Sequence, residues 1–78
     1  MESTYQKYKD GKWQYDIYYD TNGNETRGKN QNYTWTVIKR GQDFYVRKYS
    51  DNTYYKYDNS GNKLGECDAN GNLLKQKK

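Results

Sequence analysis

Apolar and aromatic residues recur at every second position along this chain: Trp13, Tyr15, Ile17 and Tyr19, then Trp35 and Val37, Phe44 and Val46, Tyr55 and Tyr57. Such alternation marks a β-strand with one buried face. No stretch carries apolar residues at i, i+3 and i+4, so the pattern predicts no substantial helix. The strands are punctuated by three copies of one phrase, Asp20-Thr-Asn-Gly-Asn24, Asp58-Asn-Ser-Gly-Asn62 and Asp68-Ala-Asn-Gly-Asn72. Asx-Gly clusters favour hairpin turns because turns that match strand twist need positive φ at their centre.

Two-residue loops at these points set a testable register, since a slip of one residue would send every side chain to the other face. With Gly41-Gln42 as the loop, Lys39 faces Phe44, Val37 faces Val46 and Trp35 faces Lys48. With Asp51-Asn52 as the next loop, Val46 faces Tyr57, Tyr49 faces Tyr54 and Arg47 faces Lys56. Ser60-Gly61 then sets Tyr57 against Leu64, and Asn70-Gly71 sets Asp68 against Leu73 and Cys67 against Leu74. These registers gather Trp35, Val37, Phe44, Val46, Tyr55, Tyr57, Leu64 and Leu73 on one common side. Nearer the N-terminus, Asp10-Gly11 joins a strand over residues 4–9 to one over 12–20. Segment 24–31 contains no large apolar residue and reads as an edge strand or a loop. The expectation is an all-β fold: an up-and-down antiparallel meander of six to seven short strands, as a small twisted sheet or barrel.

A chain of 78 residues has room for one small β domain, spanning 1–78. Its aliphatic supply is thin, so its 11 Tyr, two Trp and single Phe must furnish much of the core. The same aromatic content argues for a folded chain, since disordered segments are poor in aromatics.

The composition narrows the chemistry. With no His and one Cys, the usual general bases, nucleophile pairs and Cys/His metal sites are missing, so the chain reads as no enzyme, with no metal and no cofactor. Asp10, Asp20, Asp51, Asp58 and Asp68 fall at turns, where Asp bonds its own backbone. A lone Cys67 makes no internal disulfide and points to a reducing compartment. The N-terminus lacks an apolar leader and no run is long enough to span a membrane, which reads as a cytoplasmic product. Heavy use of Lys, Asn and Tyr with no Pro suggests an AT-rich source such as a phage or mobile element, which would place it in the host cell cytoplasm.

Tyr55-Lys-Tyr57-Asp58-Asn-Ser-Gly61-Asn62-Lys-Leu64 resembles the core of a YD-type repeat, in which an aromatic strand runs into Asp-x-x-Gly-Asn. Together with Cys67-Asp68-Ala-Asn-Gly71-Asn72-Leu73 it also looks like MORN-related hairpin repeats. Gly11-Lys-Trp13 with Tyr18-Tyr19-Asp20-Thr-Asn-Gly23 is similar to the aromatic hairpins of cell-wall-binding repeats. These families differ in function; what they share, and what the resemblance implies, is the hairpin physics of aromatic cross-strand pairs and Asx-Gly turns.

One face remains as a candidate site. The registers place Tyr45, Arg47, Tyr49, Tyr54 and Lys56 together on the non-core side, with Arg40 alongside. Arg47 opposite Lys56 sets like charges face to face, which destabilises a sheet unless something negative neutralises them. The expected function is a non-enzymatic binding module that engages a partner protein through this Tyr/Arg/Lys face. An inhibitor of a host defence complex or nuclease, or a virion accessory subunit, would take this form. The alternative is single-stranded nucleic-acid binding, with bases stacked on Tyr and cations along the backbone. The net charge of +4 fits that alternative. A monomer, or a small homo-oligomer formed through edge strands such as the one near 73–76, is the expected state.

Overall fold

The computed structural model describes residues 2–75 and contains seven strands. They are β1 (Ser3–Lys9), β2 (Lys12–Tyr19), β3 (Glu25–Asn30), β4 (Thr34–Arg40), β5 (Phe44–Tyr49), β6 (Tyr54–Asp58) and β7 (Lys63–Glu66). All neighbours pair antiparallel and lie in chain order, forming one open meander sheet with β1 and β7 at its edges. There is no helix among the described residues. The all-β meander is therefore the observed architecture.

The loops explain where the observed register departs from the expected one. At each Asp-x-x-Gly-Asn phrase the Asp and Asn close a loop of three residues, not two. The Asp N–H donates to the Asn carbonyl, and the Gly N–H donates back to the Asp carbonyl. Gly23, Gly61 and Gly71 supply the left-handed residue that such loops require, at φ 82°, 88° and 89°. The Asp side chain locks the turn: Asp58 Oδ1 accepts from the N–H groups of Ser60 and Asn62, and Asp68 Oδ1 from those of Asn70 and Asn72. Asp20 does the same for Asn22 and Asn24.

The loop after β5 is also one residue longer than expected. Tyr49 N–H donates to the Thr53 carbonyl around Ser50-Asp51-Asn52, with Asn52 at φ 69°. Consequently Arg47 faces Tyr55, Val46 faces Lys56 and Lys48 faces Tyr54, so the expected Tyr49/Tyr54 and Arg47/Lys56 pairs do not form. In the preceding hairpin, Gly41 N–H donates to the Phe44 carbonyl and the register shifts between Val37 and Lys39. Trp35 then faces Tyr49, and Val37 faces Arg47 in place of Val46. Asp10-Gly11 is a two-residue turn as expected, with both residues at positive φ (54° and 77°). A bulge at Gln14, however, turns Trp13 to the face opposite Tyr15, Ile17 and Tyr19.

Because side chains alternate, these one-residue slips divide the expected common core between two faces. Trp35, Val37, Tyr55 and Tyr57 share an inner face with Tyr45, Arg47 and Tyr49. Phe44 and Val46 lie on the outer face. There the C-terminal segment folds back: Cys67 bridges Leu73, and Gly71 sits so close that a Cβ would lie 2.8 Å from Phe44 Cε2 and 3.4 Å from Val46 Cγ2. Val46 and Cys67 are the two fully buried side chains of this small outer core. Leu64 and Leu73 are exposed. The edge strand expected near 73–76 is not formed over residues 73–75, where Leu73 makes only an isolated bridge to Cys67 and β7 is the sheet edge; Gln76 lies outside the described residues.

Segment 24–31 is neither edge nor loop. Glu25–Asn30 is β3, an interior strand paired with both β2 and β4. It needs no large apolar side chain because its neighbour supplies one: Gly28 is the cross-strand partner of Trp35, whose indole occupies the space a Cβ at position 28 would need.

Candidate functional site

The inner face is built around a carboxylate from the strand that lacks apolar residues. Glu25 is buried on β3, and Arg47 reaches it from β5 across the intervening β4. The two form a fork: Arg47 Nε donates to Oε2 at 2.7 Å and Nη2 donates to Oε1 at 2.9 Å. Trp35 Nε1 donates to Oε2 at 2.9 Å and the Tyr45 hydroxyl donates to Oε1 at 3.1 Å, so the carboxylate accepts four bonds. Arg40 Nη2 adds a bond of 2.8 Å to the Glu25 backbone carbonyl.

Arg47 is held as completely. Its Nη1 donates to the Tyr49 hydroxyl at 2.9 Å and to the Tyr57 hydroxyl at 3.2 Å, and those two hydroxyls lie 2.7 Å apart. Its guanidinium lies over the rings of Trp35 and Tyr57, 4.5 and 4.2 Å from their centroids. Tyr45 and Tyr57 stack with centroids 5.4 Å apart and planes 10° from parallel. Burying two charges is costly unless every donor and acceptor finds a partner. Here none of the buried side-chain polar atoms among the described residues lacks one.

The titration behaviour follows from this packing. Burial disfavours the charged guanidinium of Arg47, but the hydrogen bonds and charge of Glu25 outweigh it and drive its pKa upward. Burial, reinforced by the Glu25 charge, pushes Tyr45 up to about 12. Tyr57 is raised by burial and by its bond to Tyr49, and Tyr19 by burial and the Glu25 charge.

Above this floor the inner face opens into a cleft of about 570 Å³. Half-buried Tyr15, Ile17 and Tyr19 of β2 form one wall and exposed Arg40 lies at its rim. The loops at Gly23 and Gly61 close its end. Tyr15 and Tyr19 take no part in the hydrogen-bond network beneath them.

Of the residues singled out from the sequence, Tyr45, Arg47, Tyr49 and Arg40 come together here. Tyr54 and Lys56 do not: the three-residue loop after β5 turns both to the outer face, opposite Lys48 and Val46. The negative group demanded by Arg47 exists, but it is Glu25 of the same chain. Sequence reasoning missed Glu25, Trp35, Tyr15, Tyr19 and Tyr57 as members of this site. One signal for them was available: Gly28 inside a strand marks close approach of a bulky neighbour, which assigns the apolar-poor segment to the sheet interior.

The described residues hold no cluster of three or more His, Cys, Asp or Glu side chains arranged to grip a metal ion. The Cys67 thiol is buried in the outer core, and burial raises its pKa. Among the described residues no helix is long and apolar enough to cross a membrane. The chain matches no protein-family model, no curated protein and no solved structure.

Proposed function

We propose that this protein is a small non-enzymatic binding module that grips a partner protein with the inner face of its sheet. The observation that carries this reading is the charge balance of the cleft. Arg47 is neutralised by Glu25, which leaves Arg40 at the rim as the one charge of the lining without a carboxylate partner, so the cleft presents mainly Tyr and Ile surface. A polyanion gains little from such a lining, whereas a protein segment of mixed polarity fits it. Tyr, Trp and Arg are the residue types that dominate interface hot spots. The hydrogen-bonded floor holds them in place before the partner arrives, which lowers the entropy lost on docking.

A module of this kind acts by occupying a surface of its target. An inhibitor of a host defence complex or nuclease, working in the host cytoplasm, needs nothing more, and neither does a virion accessory subunit. The Lys-, Asn- and Tyr-rich, Pro-free composition supports a phage or mobile-element origin.

Affinity capture from lysate of the source host tests the reading, with wild type set against Tyr15→Ser/Tyr19→Ser. These two side chains line the cleft but lie outside the hydrogen-bond network, so the variant should melt close to wild type. Wild type should retain a protein that the variant releases. Equal retention by both, with both folded, would place the partner elsewhere.

A further inference from the structure

The registers collect a second surface on the face opposite the cleft. One row runs across five strands: Tyr18 on β2, Arg27 on β3, Thr36 on β4, Lys48 on β5 and Tyr54 on β6 are successive cross-strand partners. Lys29 lies two residues along from Arg27, and Lys39 and Lys56 flank Val46 one row beyond Lys48. Residues two apart on a strand are separated by about 7 Å and alternate strands by about 10 Å. The five cations thus sit at a spacing that an extended polymer can follow.

The acidic residues on this side make few contacts with its cations. Asp16, the cross-strand partner of Lys29, is buried and accepts from Trp13 Nε1 at 2.7 Å. Asp58 and Asp68 bond the backbone of their own loops. Glu2 reaches only Arg27, at 3.4 Å and with both side chains about half exposed. Among the described residues Lys29, Lys39 and Lys48 have no carboxylate oxygen within 4 Å and are exposed. Lys7, Arg40 and Lys63 lie on the inner face, but they are spread over three strands, whereas the outer cations adjoin one another along one row and beside it.

Aromatic platforms bracket the same row. The Arg27 guanidinium lies over Tyr18, its Cζ 3.8 Å from the ring centroid, and offers a planar cation for a base to stack on. Tyr54 lies at the other end, with Lys48 Nζ 5.8 Å from its centroid. We infer that this outer face binds single-stranded nucleic acid: Lys29, Lys39 and Lys48 hold phosphates while bases stack on the Arg27–Tyr18 pair and on Tyr54. A duplex buries its base faces and leaves those platforms idle. An acidic protein would satisfy the lysines but not the stacking groups.

The test is fluorescence anisotropy of a labelled oligothymidylate titrated with the full chain. Three or four phosphate contacts give a log–log salt slope of about −2 to −3 for a single strand. Lys29→Glu/Lys48→Glu should weaken binding at least tenfold and flatten that slope. Tyr54→Ser should weaken it about fivefold or more by removing one stacked base, with little change in slope. Lys29→Gln/Lys48→Gln, which removes charge without reversing it, should fall between wild type and the charge reversal. The inner-face variant Tyr15→Ser/Tyr19→Ser should bind as wild type, so failure here is distinct from failure of the protein-binding cleft. The inference is overturned if the oligonucleotide does not bind at low salt, if a poly-glutamate peptide binds as tightly as the oligonucleotide, or if the charge reversal has no effect.

Discussion

The Glu25 carboxylate on β3 and the Arg47 guanidinium on β5 close a two-bond fork over the strand that separates them, at 2.7 and 2.9 Å. The pair organises the inner face, because every other buried polar group there bonds to one of its members. Removing either partner strands the other charge, at a cost of about 3–5 kcal/mol. Glu25→Gln and Arg47→Met should each produce a loss of that order in urea denaturation. The double variant should lose much less than the sum. Additive losses would show that the two residues are not coupled.

Gly28→Ala offers a second check. In most strands this change is neutral or stabilising, since alanine loses less freedom on folding. Here the added methyl runs into the Trp35 indole, and overpacking of this sort costs about 1–3 kcal/mol. Reduced near-ultraviolet circular dichroism from the displaced indole should accompany the lower midpoint.

Trp35→Ala should cost about 3–5 kcal/mol, and Val46→Ala about 1.5–3 kcal/mol, the burial value of a valine side chain. The two lie on opposite faces of the sheet and share no cluster. Their effects should therefore add in the double variant to within about 0.5 kcal/mol. Strong coupling between them would restore the single shared core that alternation alone suggests.

Alkaline pH should release the inner face. Tyr45 ionises near pH 10 when unfolded but at about 12 in the folded protein. Its folded pKa is raised, so its contribution to stability is complete below about pH 10 and disappears as pH climbs through about 12. Tyr57 and Tyr19 are raised in the same sense. Tyrosinate absorbance should thus contain a late-titrating fraction that appears together with unfolding, and Tyr45→Phe should diminish it. Stability that stays level across this interval would contradict the buried hydroxyl network.

The fold was legible in the sequence to a greater depth than the site. Strand alternation and the Asx-Gly phrases establish the meander, and Asp10-Gly11 is the turn they indicate. What they leave open is loop length. Asp58-Asn-Ser-Gly61-Asn62 is compatible with a two-residue loop centred on Ser60-Gly61 and with a three-residue loop ending at Gly61. The Asp58 bonds to Ser60 and Asn62 select the second. The same one-residue difference in the loop after β5, around Ser50-Asp51-Asn52, decides which face Tyr54 and Lys56 join. Glu25 was hidden for another reason: its four donors come from β4 and β5, 10 to 22 residues away along the chain. No local pattern records such a convergence.

The inner cleft as the protein-binding face is tested most directly by calorimetric titration of the captured partner, once purified, into three forms of the chain. Tyr15→Ser/Tyr19→Ser should lose about 2 kcal/mol or more of binding free energy, as paired hot-spot residues do, while keeping its melting temperature. Lys29→Glu/Lys48→Glu on the outer face should bind within twofold of wild type, with little dependence on salt. If the cleft variant binds as wild type, or if the outer variant alone loses the partner, the cleft is not the interface.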